Sequence, residues 1–419
     1  MEIALAVLVT AIVTIVILNV STGEKKIEKR IHPLYGIEDP QFLRSMGTLL
    51  GPPIVPGNRV TGLSNGDEIF PAMLEAIRGA QRTITFETFI YWSGQIGREF
   101  ADALSERALS GVRVHVLLDW VGSAKMTQDL LDEMEKAGVE VRKYHPLRWY
   151  NLGRLNNRTH RKLLVVDGQV GFTGGVGIAD NWLGHAEDEE HWRDSHYRLE
   201  GPAVAQMQAA FLDNWMKTSG VVLHGDGYFP ELEAAGDCPA QVFRSSPAEG
   251  SESVRLMYLL SITCARHSVR ISAAYFVPDD LSVETIIAAR RRGVSVQIIL
   301  PGKKIDAQFT RRASRSRWGA LLEAGVELHE FQPTMYHCKI MVVDEHWVSV
   351  GSTNFDNRSF RLNDEANLDV YDRDFAGTQV RDFEHDLQRA RRVTLEEWKR
   401  RPLREKVVEH LAGLLRSQL

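Results

Sequence analysis

One ten-residue pattern occurs twice in this chain. Residues 159–168 read THRKLLVVDG, and residues 336–345 read YHCKIMVVDE. Both follow the pattern H-x-K-x-x-x-x-D, and both contain an apolar, β-branched run of strand length. Such a run predicts a buried β-strand. A single copy would indicate only that strand, but two copies in matching contexts indicate chemistry.

Strand geometry separates the side chains within each copy. Residues two positions apart share a face of a strand, so His160 is expected beside Lys162. Asp167 lies an odd number of positions after His160, which places it on the other face, in an Asp-Gly sequence typical of turns. Its direct role is therefore expected to be structural. The second copy has the same spacing in His337, Lys339 and Asp344.

The similarity between the two halves extends beyond the motif. GVRVHVLLD from Gly111 and AGVEV from Ala137 return as GVSVQIILP from Gly293 and AGVEL from Ala324, about 180 residues later. This spacing indicates a duplication of domain size and not a short solenoid repeat. If pseudo-two-fold symmetry relates the halves, the same strand of each half meets at one seam. Two half-sites would then form one site with two histidines and two lysines.

Helices and strands are predicted to alternate, which is typical of α/β sandwiches. The first half is predicted to have helices at 68–79, 96–110 and 128–137 and strands at 83–91, 112–118 and 139–143. The second half is predicted to repeat this order. The predicted divisions are an anchor at 1–22, a juxtamembrane segment at 23–60, a first domain at 61–219, a connector at 220–253, a second domain at 254–388 and a basic amphipathic helix at 389–419.

The N-terminus is the compositional exception. Residues 3–20 contain no charge, and their length is near the minimum for a membrane-spanning helix. The four cations that follow predict, by the positive-inside rule, a large body on the cytoplasmic side of the membrane: Lys25, Lys26, Lys29 and Arg30. The alternative is a cleaved export signal, although the chain lacks a basic start and an A-x-A cleavage site.

The remaining composition limits the classes of partner. The chain has 419 residues, of which 44% are hydrophobic, and a net charge of −5, so any anion site must be local and nucleic acid is not expected as a partner. Its three cysteines are widely spaced and odd in number, which excludes a disulfide framework. The cations and Trp398 of residues 389–419 are typical of an interfacial helix, with a solvated helix face as the alternative.

Two histidines with two lysines favour phosphoryl chemistry. Lysines stabilise the negative charge that develops on phosphoryl oxygens. A neutral histidine can attack phosphorus, while a protonated one can give its proton to the leaving oxygen. The lysines would repel a divalent cation, and no carboxylate shares their face, so no metal and no cofactor are expected. The acidic run beside His185 and His191 is expected to be a solvated loop.

Further candidates follow each copy of the motif. Asp194 and Glu365 come at similar distances after the two histidines, and each could hold a ring in one tautomer. Two turns of small residues, at 173–181 and 351–359, would let backbone N–H groups approach a phosphate. The substrate-binding candidates in these turns are Gly174, Gly175, Ser352 and Asn354.

These residues resemble the phospholipase D superfamily, whose mark is the duplicated H-x-K-x-x-x-x-D motif followed by small-residue turns. Within it, the chain is similar to bacterial cardiolipin synthases. The similarity includes TFETFIYW at 85–92, HWRDSHYRLEGPAV at 191–204 and GSTNFDNRSFRLNDEANLDVYD at 351–372. One departure is Gly177, which occupies the place that Asn354 holds in the second turn.

The resemblance implies two phospholipase D-like α/β sandwich domains, preceded here by one transmembrane helix. It implies that His160 becomes phosphatidylated and that His337 acts as acid and then base. The carboxylates are implied to orient the histidines of the opposite halves. The implied catalytic set is His160, Lys162, Asp167, His337, Lys339, Asp344, Asp194 and Glu365.

The implied reaction transfers a phosphatidyl group between two phosphatidylglycerol molecules in the membrane, giving cardiolipin and glycerol. A membrane-bound phospholipase D or phosphodiesterase that uses water is the first alternative, because the same core would serve it. A non-catalytic lipid-binding scaffold is the second, and it predicts loss of at least one histidine or lysine, whereas all four are present. The acceptor alcohol, the acyl-chain preference and the oligomeric state stay open at this point.

Overall fold

The structure is a computed structural model that describes residues 2–20, 27–146, 156–246 and 252–414. Parts of several predicted segments therefore lie outside the described residues. These parts are residue 1 and residues 21–22 of the anchor, Lys25 and Lys26, residues 247–251 of the connector, and residues 415–419 of the C-terminal helix.

The first part of the chain contains six helices and eight strands among its described residues. They are α1 (Glu2–Val20), α2 (Pro40–Leu49), β1 (Val55–Ser64), α3 (Asn65–Gly79), β2 (Thr83–Thr88), α4 (Gln95–Leu109), β3 (Arg113–Asp119), α5 (Gln128–Lys136), β4 (Glu140–Tyr144), β5 (Arg158–Thr159), β6 (Leu163–Val166), β7 (Val170–Gly174), β8 (Ser195–Glu200) and α6 (Val204–Ser219). Helices α3 to α5 begin and end within three residues of their predicted bounds.

The rest of the described chain follows the same plan. Its elements are β9 (Cys238–Ser245), α7 (Ser253–Cys264), β10 (Ser268–Ala273), β11 (Phe276–Val277), α8 (Asp280–Arg291), β12 (Ser295–Pro301), α9 (Gln308–Arg315), α10 (Trp318–Glu323), β13 (Glu327–Phe331), β14 (Lys339–Val343), β15 (Trp347–Gly351), β16 (Phe355–Asp356), α11 (Asn357–Arg361), β17 (Asn363–Tyr371), α12 (Arg373–Gln388), β18 (Ala390–Val393), α13 (Leu395–Arg400) and α14 (Leu403–Leu414).

The sheet topology displays the duplication. From β1 outward the strand order is β1-β8-β7-β6-β2-β3-β4, and from β9 outward it is β9-β17-β15-β14-β10-β12-β13, with β18 added at that edge. Strands β1 and β9 pair in antiparallel fashion and join the halves into one sheet. This topology confirms a mixed α/β fold.

Side-chain alternation explains how the layers form. In β2, Ile84 and Phe86 enter an apolar core with helices α3 and α4. Thr85, between them, points the other way and its Oγ1 donates to Gln208 Oε1 of α6 (3.1 Å). Each half thus covers one sheet face with helices, and a third core lies between the two halves. That central core includes Val165 of β6 and residues of β14 and β15.

Helix starts in the second half carry capping aspartates. Asp279 accepts from the backbone N–H of Ser282 (2.8 Å) at the start of α8, and Asp372 accepts from that of Phe375 (2.7 Å) at the start of α12. A side-chain acceptor here satisfies an N–H that has no partner within the helix. These caps fix where α8 and α12 begin and therefore where the preceding loops end.

Three predicted segments differ from the structure. The predicted juxtamembrane segment contains α2, whose buried Phe42 packs on Trp347 of the second half (ring centroids 6.2 Å apart). The predicted connector contains β9, a central strand of the sheet. A single helix over 389–419 is wrong, because β18, α13 and α14 share the described part of that range. The domain boundaries themselves stay predictions.

The predicted anchor coincides with α1, Glu2–Val20. Across the described ranges, no helix is sufficiently long and apolar to traverse a bilayer.

Candidate active site

Each motif histidine is held by backbone from the opposite half. Strand β5 pairs with β17, and the N–H of His160 donates to the carbonyl of Asp364 (2.8 Å). In the same way the N–H of His337 donates to the carbonyl of Arg193 (2.8 Å). Asp364 directly precedes Glu365, and Arg193 directly precedes Asp194. These crossings bring each candidate carboxylate to the histidine of the other half.

The His160 ring is bound by a buried carboxylate. Its Nδ1 lies 3.0 Å from both oxygens of Glu365, and Ser352 Oγ donates to Oε2 of the same carboxylate (2.5 Å). A carboxylate at Nδ1 holds the proton there, so Nε2 keeps its lone pair for attack. Ser352, predicted to bind substrate, positions Glu365 instead.

The His337 ring is bound in a matching way. Its Nδ1 lies 2.7 Å from Asp194 Oδ2, which also accepts from the indole N–H of Trp182 (2.9 Å). The backbone N–H of Ser195 donates to Asp194 Oδ1 (2.9 Å). The carboxylate is thus fixed by two donors besides the histidine, and it holds the ring in one orientation.

The two lysines differ in their contacts with the histidines. Lys162 Nζ donates to the backbone oxygen of His160 (2.9 Å). Lys339 Nζ donates to the backbone oxygen of His337 and also lies 3.0 Å from Nδ1 and 3.2 Å from Nε2 of that ring. The positive charge of Lys339 therefore lies against the His337 ring, whereas the His160 ring has no such contact among the described residues.

Burial shifts the pKa values of the four basic groups downward. It lowers the pKa of His160 to about 4, against the opposing charge of Glu365, so the ring is neutral at neutral pH. Burial and the charge of Lys339 lower the pKa of Lys162 to about 7. Burial also lowers the pKa of His337 and that of Lys339. An anion between the lysines would oppose these shifts by stabilising every protonated form.

The carboxylates stay ionised although they are fully buried. Burial alone would raise the pKa of Asp194, but His337 and Lys339 together lower it. Burial would likewise raise the pKa of Glu365, and its contact with His160 lowers it. Each carboxylate is therefore a fixed negative charge behind its histidine, suited to stabilise an imidazolium.

The glycines of the first turn leave room for their neighbours. A Cβ at Gly175 would lie 2.1 Å from Asp194 Oδ1, and one at Gly174 would lie 2.6 Å from His196 Nδ1. A Cβ at Gly177 would lie 2.8 Å from Ile90 Cβ and 3.2 Å from the ring of Trp182. The Trp182 ring thus fills the space that an asparagine would need, which explains the departure at Gly177.

Several buried polar groups near the site lack hydrogen-bond partners among the described residues, and two of them are side chains of the turn and strand that follow the motifs. One is Oδ1 of Asn354, whose backbone N–H donates to Ser359 Oγ (3.1 Å). The other is the ring of His196, whose two nitrogens are both unpaired. Burial lowers the pKa of His196 to about 3, so this ring is neutral. An unpaired buried acceptor at Asn354 is available to a substrate group.

The sequence analysis did not predict the aromatic side chains that surround the two histidines. Phe89 lies 5.4 Å from His160 between ring centroids. The His337 ring has three such neighbours, Trp182, Trp192 and Tyr275, at 5.4, 5.7 and 6.3 Å. Their places in the chain could have indicated two of them, because Phe89 and Tyr275 follow equivalent strands, β2 and β10. Trp192 lies in the HWRD segment.

The motif aspartates lie at the far ends of their strands from the histidines. Asp167 accepts from the backbone N–H groups of three consecutive residues after α3, at 2.7 to 2.9 Å. Asp344 does the same after α7, at 2.7 to 2.8 Å. Both have positive φ, 53° and 52°. They hold turns and do not contact the histidine pair, which corrects their place in the implied catalytic set.

The expected strand of the first motif is interrupted. His160 and Lys162 lie between β5 and β6, while Lys339 begins β14. The described residues also bring together one group of carboxylate and imidazole ligands, Glu187, Asp188 and His191, on an exposed loop apart from the histidine pair. The absence of a metal requirement stays a prediction.

The chain matches a known protein family over most of its length. The family model described as "Cardiolipin synthase, PLD-like domain" matches residues 73–215 and 258–387. A cardiolipin synthase of Geobacillus thermodenitrificans is 35% identical, with 87% of this chain and 73% of that protein covered. Cardiolipin synthase 2 of Bacillus anthracis is 34% identical, with 84% and 69% covered.

The chain belongs to the cardiolipin synthase family of phospholipase D-like proteins. This confirms the predicted superfamily and the predicted class of enzyme, a phospholipase D-type phosphatidyltransferase. It also supports the predicted cardiolipin synthase function.

The fold is shared more widely than the sequence. The crystal structure of phosphatidylserine synthase from Haemophilus influenzae superposes with a TM-score of 0.69 at 16% identity, covering 90% of this chain and 99% of that one. Polyphosphate kinase from Porphyromonas gingivalis gives 0.54 at 11% identity, covering 93% and 57%. At these identities the likeness concerns the fold alone.

The turn role of Asp344 generates a stability prediction. Asp344→Ala should lower the free energy of unfolding by about 2–4 kcal/mol, because three backbone donors lose a charged acceptor. Glu345→Ala is the matched control, since Glu345 also has positive φ (51°) but accepts no backbone hydrogen bond in this turn. It should change stability by less than about 1 kcal/mol. Denaturant unfolding measures both, and equal losses would contradict the turn role.

Proposed function

We propose that this chain transfers a phosphatidyl group from one phosphatidylglycerol molecule to the glycerol hydroxyl of another, giving cardiolipin and glycerol. The observation that carries the proposal is the pair of buried histidines, each bound by a carboxylate of the opposite half and accompanied by a lysine. Family membership supplies the lipid substrate class. Hydrolysis by the same core is the second candidate. Water would attack the same phosphorus as the alcohol does, and the product would be phosphatidic acid instead of cardiolipin.

The proposed first step forms a covalent intermediate. Nε2 of His160 attacks the phosphorus of phosphatidylglycerol, and the bond from phosphorus to the glycerol oxygen breaks. His337, in its protonated form, gives its proton to that oxygen, and glycerol leaves. Lys162 and Lys339 stabilise the charge on the phosphoryl oxygens.

The second step reverses this order. The hydroxyl of a second phosphatidylglycerol gives its proton to neutral His337 and attacks the phosphorus held on His160. The bond between phosphorus and Nε2 breaks, cardiolipin is released, and both histidines return to their starting states. Each step uses one histidine as nucleophile or leaving group and the other for proton transfer.

The assignment of roles rests on an asymmetry between the lysines. Lys339 Nζ lies within 3.2 Å of both ring nitrogens of His337, and its positive charge makes that ring the weaker nucleophile. In the described part of the chain, Lys162 meets His160 at its backbone oxygen (2.9 Å) and not at its ring. His160, with a low pKa and Glu365 at Nδ1, is therefore the better nucleophile.

The product distinguishes the candidate functions. Purified full-length protein incubated with phosphatidylglycerol alone should yield cardiolipin and glycerol in equal amounts by mass spectrometry. A His160→Ala protein should yield neither, since it lacks the nucleophile. Phosphatidic acid as the main lipid product would favour the hydrolase, and unchanged lipid would favour the scaffold.

Trapping the intermediate tests the division of labour. A phosphatidylglycerol analogue with a very good leaving group hardly needs protonation, so His337→Ala should still form a phosphatidyl adduct, and a long-lived one because its base is missing. His160→Ala should form none. Peptide mapping locates the lipid. An adduct on His337 in the His160→Ala protein would reverse the roles, and no adduct in either would exclude the covalent path.

We also propose that α1 anchors the protein in a bacterial membrane with its body in the cytoplasm. The support is that α1 has no charged residue after Glu2 and that several of its apolar side chains, such as Ile3 and Leu5, are exposed. Lys29 and Arg30 follow on the proposed cytoplasmic side.

Fusions to the C-terminus test this orientation in living bacteria. A phosphatase that folds only after export should be inactive there, because the positive-inside rule keeps the body in the cytoplasm. A fluorescent protein that matures only in the cytoplasm should fluoresce. An active phosphatase with a dark fluorescent protein would refute the orientation, and an export signal that is cleaved would give that same pair.

A further inference from the structure

Helix α14 carries an apolar stripe that no described residue covers. Leu403, Val407, Leu411 and Leu414 recur at intervals of three or four residues and are 76%, 50%, 56% and 66% exposed. This spacing places them on one face of the helix. Single exposed apolar residues are ordinary on a protein surface, but a contiguous row of four indicates a surface that contacts something apolar.

The opposite face of α14 is fixed to the protein body. Buried Glu409 accepts from Nε of Arg315 in α9 and from Nε of Arg401, each at 2.6 Å. Ala412 packs with Val277 and Ala313 in a small core. Helix α14 is therefore held in one orientation. Its apolar stripe points away from the body because the opposite face carries Glu409 and Ala412.

Unpaired positive charge lies beside the stripe. A cleft of about 1380 Å³ between α9, α13 and α14 is lined by nine lysine or arginine side chains and five glutamates. Most of these cations pair with the glutamates, as Arg311 does with Glu330. Lys303, Arg312 and Arg404 are exposed and form no ion pair with any residue in the described ranges. Exposed cations next to exposed apolar side chains match a surface that is apolar beneath and anionic at its boundary.

This surface neighbours the His337 side of the active site. The loop before α9 is tied to it by Tyr275, whose Oη donates to Asp306 at 2.7 Å and whose ring lies 6.3 Å from that of His337. Lys304 Nζ of the same loop donates to the carbonyl of Pro333 (2.9 Å), shortly before His337. A bilayer against α9 and α14 would therefore lie close to the His337 side of the active site.

We propose that α14, with the exposed cations of the α9 cleft, is a second membrane contact that docks on an anionic phospholipid bilayer. The apolar stripe enters the boundary between headgroups and acyl chains, while Arg312 and Arg404 contact lipid phosphates. A helix of this kind is drawn to the bilayer by buried apolar area and by anionic lipid together. The inference rests on the proposed function only for the identity of the lipid, phosphatidylglycerol.

Lipid-side quenching of a fluorophore tests the contact in the full-length protein. The protein, with Cys238→Ser to remove the most accessible native thiol, is placed in bilayer discs of phosphatidylcholine with or without phosphatidylglycerol. A fluorophore is attached at Val407→Cys or, as the matched control, at Leu109→Cys. Leu109 is an exposed apolar residue at the end of α4, with 74% of its surface exposed against 50% for Val407. Lipids with a nitroxide on the acyl chain act as quenchers.

With phosphatidylglycerol present, the label at 407 should be quenched at least about twofold more than the label at 109, since only the first is expected to enter the bilayer. The combined change Arg312→Glu and Arg404→Glu should remove that difference. Equal quenching at the two positions would overturn the proposal. Quenching that is the same without phosphatidylglycerol would overturn its anionic part. Loss of quenching on adding inorganic phosphate would show instead that the cations bind a soluble anion.

Turnover of a short-chain phosphatidylglycerol, dissolved below its micelle concentration, separates this test from the proposed function. The charge-reversed variant should retain wild-type turnover of that soluble substrate and lose turnover on bilayer discs. Equal loss on both substrates would mean that the site itself is damaged and would contradict a docking role. Normal quenching in a protein that makes no cardiolipin would refute the proposed reaction and leave the docking surface standing.

Discussion

Two buried contacts between carboxylate and imidazole, each made across the two halves, are the constraint on which the structure depends. Glu365 of the second half binds His160 of the first, and Asp194 of the first binds His337 of the second. A half on its own would expose one histidine without its carboxylate. The continuous sheet and the shared central core therefore do more than add stability, because they hold the imidazole donor and the carboxylate acceptor of each pair in register. Buried ion pairs contribute little net stability by themselves, since desolvation offsets their attraction, so the apolar cores must supply it.

The two lysines of the site are placed to bind an anion, the phosphodiester of the substrate. Two carboxylates and two lysines lie within a buried region, where burial and then the charge of Lys339 lower the pKa of Lys162 because the two lysines repel each other. A phosphodiester between them would relieve that repulsion and raise the pKa values of both lysines and of His337. Binding substrate would thus also favour the protonated His337 that leaving-group departure needs.

Sequence patterns predicted the features that depend on local chemistry. The repeated motif, helices α3 to α5, and the pairing of Asp194 and Glu365 with opposite halves follow from spacing, periodicity and resemblance. Strand β9 was missed because it lies in a stretch rich in glycine, proline and serine, and its partners β1 and β17 are far away in the chain. Strand β18 was missed because arginines at a sheet edge look like part of a basic helix. Both errors concern pairing between distant segments, which no local pattern records.

The duplicated backbone makes the differences between the halves informative. The two turns have the same hydrogen bond back to the sheet, from Gly175 to Ser195 and from Ser352 to Ala366 (3.0 and 3.1 Å). In the first half, glycine at 175 leaves room for Asp194, and the Trp182 ring fills the space that an asparagine at 177 would need. In the second half, Ser352 donates a hydroxyl hydrogen bond to Glu365. The scaffold thus places two similar histidines, and the side chains around them give each a different environment: aromatic rings and a close ammonium at His337, a hydroxyl-bound carboxylate at His160. A symmetric site would leave either histidine free to attack, so different neighbours on a similar backbone are what the proposed division between nucleophile and proton carrier requires.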